Sequence, residues 1–316
     1  MLLICSVAAV VVVNGWTDAP GALTTVVCSG TLPLRRALGL AALCNALGAA
    51  AGGLLLPRVA AAMEGLARFP GLGGRAAMGL LCWVLWSVSL WGAAAWVLAV
   101  PTSESHALLA ALGGAALAVG GTPGGAGAWA GAAAGLAVSA GLGWGLGQWL
   151  TPRRAAPVPA GGLARRQVCW AGGLALLHGA QDGQKYSAML CAAGLEAGKT
   201  GRVWAVLLCA AAMALGSAVG GGRILKAVGR EMAPLDGHAA LCSDRAAGLT
   251  LALCTLLGLP VSTGTVKVCA AAGAGHRRGV LRGRVFGRMW LGWLATFPVC
   301  LGLGWLGGWL CLAVLA

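Results

Sequence analysis

The chain has 316 residues, 59% hydrophobic and 9% charged, with a mean hydropathy of +0.85. Soluble enzymes and soluble binding domains need a charged surface that this composition lacks, so the chain reads as a polytopic membrane protein. The formal charge of +14 does not point to nucleic acid, because the cations lie in short loops between apolar runs without interleaved aromatics. Twelve cysteines are scattered through apolar stretches with no C-x-x-C or metal spacing, and read as small hydrophobes.

In chain order, the first span covers residues 1–28 and is interrupted at 14–21 by Asn14-Gly15-Trp16-Thr17-Asp18-Ala19-Pro20-Gly21. With no basic n-region or A-x-A site, it reads as a retained span and not a signal peptide. A second span over 37–56 follows, then a polar loop with a short interfacial helix at 57–75. Residues 76–100 and 107–121 form the two arms of a re-entrant hairpin turned at Pro101–His106. The second arm is too short for the ~20 residues a crossing needs. Residues 128–150 make a full span rich in Gly and Ala.

Residues 151–167, with three prolines and four arginines, form a linker. After it the pattern returns: an interrupted span at 168–195, broken at 178–185, a span at 203–222, and a polar amphipathic segment at 223–245. A second hairpin follows, with arms at 246–259 and 266–275 and a turn at 260–265. A basic loop then leads to a final apolar stretch at 289–316. The domain division is 1–150, a linker at 151–167, and 168–316.

Gly15 and Asp18 precede Gly179 and Asp182 by 164 positions, and Pro101 and Ser103 precede Pro260 and Ser262 by 159. Two interrupted spans and two Pro-plus-hydroxyl turns in the same order mark an internal duplication of the transporter type. Each half has three crossings and a hairpin. An odd number inverts the halves, so the fold class is an all-α membrane protein of two inverted repeats. With the N-terminus outside and the central linker cytoplasmic, inner segments carry 15 Lys/Arg and outer ones 5, which satisfies the positive-inside rule.

Asp18 and Asp182, carboxylates within apolar spans, are candidate cation ligands for Na⁺ or proton acceptors. An anion needs donors, and Thr102, Ser103 and Ser105 in one hairpin with Ser262, Thr263 and Thr265 in the other offer hydroxyls beside helix N-termini. Lys185, three residues after Asp182, either pairs with it or meets the anion directly. Asn45, in the second span, is an ion ligand or helix–helix glue. His178, His106 and Glu104 stand beside these residues.

His178-Gly179-Ala180-Gln181-Asp182-Gly183-Gln184-Lys185 resembles the H-G-x-N-D-x-x-K signature of the inorganic phosphate transporter (PiT) family. Asn14-Gly15-x-x-Asp18 resembles its N-terminal counterpart, and the two Pro-plus-hydroxyl turns resemble the family's hairpins. The resemblance runs from about residue 14 to Pro298. It implies a non-enzymatic symporter in the cell membrane that imports inorganic phosphate with Na⁺ or H⁺ and needs no other cofactor. It also implies a phosphate site that draws on Gln181 and Lys185 besides the hairpin hydroxyls, and a cation site at Asn14, Asp18 and Asp182, with Asn45 a further candidate and Asp244 either an ion ligand or a residue at the helix entrance. A homodimer is among the assemblies left open. Alternatives are a sulfate permease of the same family, or a non-transporting membrane protein on this scaffold. Thr17 and Gln181 stand where the family has Asn or His, and Gly264-Thr265 replaces its Thr-His.

Overall fold

A computed structural model of the chain describes residues 1–69, 71–98, 102–121, 123–154, 160–194, 198–220 and 225–315, and shows helices without a strand among them. The first half contains α1 (Leu2–Thr17), α2 (Ala19–Ala22), α3 (Thr24–Cys28), α4 (Leu34–Leu55), α5 (Arg58–Ala67), α6 (Gly74–Val97), α7 (Glu104–Ala118) and α8 (Gly125–Leu150). The second contains α9 (Ala160–Ala192), α10 (Gly198–Val219), a π-helical turn (Ala227–Met232), α11 (Gly237–Leu257), α12 (Thr263–Arg278) and α13 (Gly283–Leu315). Seven helical stretches among the described residues are long and apolar enough to cross a bilayer: α1 with α2, then α4, α6, α8, α10, α11 and α13. Large apolar side chains point outward, among them Leu43, Leu90, Trp204, Leu215 and Leu291. In water they would be a liability; in lipid they face their solvent.

The interruption expected at 178–185 is absent. α9 runs through it without a break, 33 residues in all. The reason is spacing: His178, Gln181, Asp182 and Lys185 fall at i, i+3, i+4 and i+7, one face of a helix. That face is buried in protein, so no backbone hydrogen bond need be given up to accommodate it. The N-terminal copy is irregular, but later than expected. α1 continues through Asn14 to Thr17, Asp18 N donates to Asn14 O at 2.9 Å, and the chain then jogs at Asp18 and Leu23 around Pro20.

Other boundaries also shift. α9 begins at Ala160, within the expected linker. α11 begins at Gly237, where the Asp236 carboxylate accepts from His238 N and Ala239 N, both at 3.0 Å, so only residues before it are non-α. α13 likewise begins at Gly283, inside the expected basic loop. The hairpin arms are unequal: α6 and α11 have 24 and 21 residues, α7 and α12 have 15 and 16. Pro101, Pro157 and Arg223 lie outside the described residues.

The duplication is visible in the packing. Gly15 lies against Met213 O and Gly179 against Asn45 O, while Gly48 lies against Leu176 O and Gly216 against Val12 O. The same exchange joins the later helices: Gly114 with Leu301 O and Gly273 with Trp144 O, Gly304 with Ala111 O and Gly147 with Ala270 O. A Cβ at any of these eight positions would come within 1.9–2.8 Å of a backbone oxygen. Glycine is therefore required for these close crossings. Each of these glycine contacts in one half thus has its counterpart in the other, with partners swapped across a pseudo-two-fold axis.

The counterpart helices α4 and α10 pack directly. Asn45 Nδ2 donates to Ser217 Oγ at 2.9 Å, and eight residues on, Gly53 meets Val206. One chain rises as the other descends, so these repeat-equivalent helices are antiparallel and the halves are inverted.

Candidate functional site

The two short helices begin at the axis. Ser103 and Ser262 are their N-caps: Ser103 Oγ accepts from His106 N and Ser262 Oγ from Thr265 N, each at 3.2 Å. The capping hydroxyls touch, Ser103 Oγ to Ser262 Oγ at 2.7 Å, and Ser262 Oγ also reaches Thr265 Oγ1 at 2.7 Å. Two helix N-termini, each with unpaired N–H groups and a partial positive charge, therefore converge on one point within the protein. A tetrahedral oxyanion is suited to such a point.

Lys185, from α9, ties the tips together. Its ammonium donates to Asp182 Oδ1 at 2.5 Å, Val261 O at 2.5 Å and Ser105 Oγ at 2.7 Å. All three donors are used, so Lys185 stands as the ion-pair partner of Asp182 and a bridge to both hairpins. The other Asp182 oxygen accepts from Asn14 Nδ2 at 3.2 Å and Thr263 Oγ1 at 3.4 Å, with His178 Nε2 at 3.1 Å. Asn45 stands one step out, its Oδ1 2.9 Å from His178 Nδ1. It orients the imidazole and does not reach the centre.

A second group of acids lies beside the first. Thr17 Oγ1 donates to Glu104 Oε1 at 2.8 Å and is 3.5 Å from Asp18 Oδ1, and Tyr186 OH donates to Glu104 Oε2 at 2.9 Å. Glu104 is buried. No Lys, Arg or His nitrogen lies within 4.0 Å of the Asp18 or Glu104 carboxylate among the described residues. Carboxylates at this depth, without a basic partner, are costly unless a cation or proton joins them. Asn14 Oδ1, buried beside them, has no hydrogen-bond partner among the described residues. Gly264 leaves room here. Two cavities of about 20 Å³ adjoin it, one lined in part by Asp18, His178 and Thr263 and the other by Thr17, Asp18 and Thr102. Each is the size of a water or a small cation.

Two expected residues lie elsewhere. Gln181 donates to Thr255 Oγ1 at 3.0 Å and Leu259 O at 3.2 Å, and accepts from Val261 N at 3.5 Å. Its amide holds the turn of the second hairpin and does not point at the meeting of the tips. Asp244 is buried on α11 against Lys267 and Thr25, apart from Asp18 and Asp182. Conversely, Tyr186 and Thr25, which the sequence motifs do not single out, belong to these clusters, together with Thr17 and Lys267. Tyr186 is the one tyrosine in the chain, a signal that was available. A cavity of about 760 Å³ lies among α7, α8, α12 and α13 and is lined mainly by apolar residues such as Leu109, Trp290 and Phe297. Its surface is overwhelmingly apolar, a poor setting for an anion.

A sequence model of the phosphate transporter family matches residues 14–164 and again 151–304. The chain belongs to the phosphate transporter family. The two matches fall on the two halves that the glycine crossings relate. Among its relatives, a probable low-affinity inorganic phosphate transporter of Mycobacterium bovis is 29% identical over 304 residues, 90% of this chain and 71% of that one. One from Bacillus subtilis is 28% identical over 320 residues, 96% and 94% of the respective chains. The fold matches a solved sodium-dependent phosphate transporter with a TM-score of 0.83 over 100% of this chain and 99% of the other, at 16% identity. Members of this family are transporters and not enzymes, and the chain is a multi-pass membrane protein.

Proposed function

We propose that this family member imports inorganic phosphate into the cell together with Na⁺ or H⁺. The observation that carries the reading is the meeting of two N-capped half-length helices at Ser103 and Ser262 beside two carboxylates, half-buried Asp18 and buried Glu104, that no Lys, Arg or His nitrogen among the described residues pairs with. The helix N-termini suit the anion and the acids suit the cation. Phosphate oxygens would replace the Ser103–Ser262 hydrogen bond, with Thr102, Ser105 and Thr263 at the edge of the site. Asp18, Asn14 and Glu104 would hold the cation, and Asp182 would share its charge with Lys185.

Coupling follows from energetics. Each negative charge entering a cell at −100 mV costs about 2.3 kcal/mol, so a divalent phosphate needs at least two cations to cancel that cost. Because the halves are inverted and touch at their hairpin tips, rocking one against the other would expose the same site to each side in turn. The excess of Lys and Arg in the inner segments supports an orientation with the N-terminus outside and the central linker in the cytoplasm. The relatives named as phosphate transporters and the sodium-dependent structural neighbour support this reading.

The test is radiolabelled phosphate uptake into proteoliposomes under Na⁺ and pH gradients imposed separately. One gradient should drive accumulation above the equilibrium level. Equal, gradient-independent uptake under both would refute coupling, and no uptake at all would refute transport.

A further inference from the structure

Resting on the proposal that cations drive transport, a second charged cluster takes on a role of its own. On α11 the Asp244 carboxylate is fully buried, as is Lys267 one turn into α12. Lys267 Nζ donates to Asp244 Oδ1, and Thr25 Oγ1 donates to Asp244 Oδ2 at 2.5 Å. A carboxylate with a neighbouring hydroxyl is the hard-oxygen set that a small cation takes. Here that set is met by an ammonium attached to the chain.

The fold itself does not call for a charge pair at this place. Counting back by the repeat offsets, Asp244 and Lys267 correspond to Leu85 and Leu108, 159 positions earlier, and Thr25 corresponds to Met189, 164 positions later. Leu85, Leu108 and Met189 are all buried in one apolar cluster. The same three positions therefore pack as hydrocarbon in one half and as an ionic triad in the other. Lys267 also adjoins the proposed transport site. It lines three small cavities, one with Asp18 and Thr263, one with Asp18 and Thr102, and one with Thr24 and Thr25. The ammonium thus stands between the central carboxylates and Asp244.

We propose that Lys267 is a tethered cation occupying an oxygen site that would otherwise take an exchangeable one, so that Asp244 contributes no ion to the transport cycle. Lys267 then sets the number of cations carried per phosphate. Freed of the ammonium, Asp244 and Thr25 would recruit a cation from solution, and that ion would travel with the substrate.

The experiment measures cations taken up per phosphate in proteoliposomes, with tracer flux for Na⁺ and a trapped pH dye for H⁺. It compares the wild type, Lys267→Met, and the double variant Asp244→Leu with Lys267→Leu, which copies the other repeat. The expected result is a ratio one cation higher in Lys267→Met and a wild-type ratio in the double variant. An unchanged ratio in Lys267→Met, or a ratio one lower in the double variant, would overturn the proposal. If Lys267→Met does not fold, the double variant decides by the same criterion. A double variant that does not fold contradicts the premise that the fold is indifferent to the pair. Failure of the proposed function is read separately, as a wild type whose phosphate uptake responds to neither cation.

Discussion

Removing the Asp182 carboxylate would strand the Lys185 ammonium among Val261 O, Ser105 and apolar helix. Breaking a buried pair from one side costs about 3–5 kcal/mol, so Asp182→Asn is expected to lose thermal stability as well as transport. Adding Lys185→Gln should recover much of the unfolding midpoint in detergent but not uptake. Asp18 and Glu104 differ, since no Lys, Arg or His among the described residues forms an ion pair with them. Asp18→Asn and Glu104→Gln should unfold within a few degrees of the wild type, yet lose the cation dependence of phosphate uptake in proteoliposomes. Asp18, Asp182 and Lys185 stand out in the sequence because charge is conspicuous in an apolar run. The hydrogen bonds of Thr17, Thr25 and Lys267 are not legible in this way, because their partners lie 87, 219 and 23 positions away. The direction of the Gln181 amide, toward Thr255 and Leu259, is not legible for the same reason: it depends on which helix packs against it.

The hairpins were legible as elements because a proline and a hydroxyl cluster stand before helices too short to cross. Their contact was not, because nothing local encodes the meeting of Ser103 with Ser262. Replacing both serines by alanine removes two donors proposed to face a charged ligand, each worth about 1.5–3 kcal/mol. Phosphate affinity measured by calorimetry should fall at least tenfold while the helices stay folded. The unbroken course of α9 shows the opposite failure. A polar cluster in an apolar run suggests a loss of helix, whereas its i, i+3, i+4, i+7 spacing describes an inward face. The glycine crossings supply the complementary rule. Gly179→Ala would place a Cβ 2.0 Å from Asn45 O, and overpacking of this kind costs about 1–3 kcal/mol. Gly173→Ala, on the same helix with nothing within 4 Å, should be neutral in the same unfolding assay.

At the scale of the whole molecule, inversion was legible from the odd number of crossings and the loop charges, and it reappears in the antiparallel packing of α4 against α10. Orientation in the membrane can be checked by single cysteines in a cysteine-free background. Positions Arg68 and Lys199 should react with an impermeant reagent in intact cells, and Arg154 and Arg282, all four exposed, should not. The functional claim is that one anion site between the hairpins and one cation site at Asp18 and Glu104 are thermodynamically linked. Linkage is reciprocal, so the coupling must appear in binding itself. The direct measurement is equilibrium phosphate binding to purified protein across a series of Na⁺ concentrations and pH values. Phosphate should bind more tightly as one of these cations rises, and the dependence should vanish in Asp18→Asn. A phosphate affinity that is the same at every cation concentration would contradict cation-coupled transport through this site.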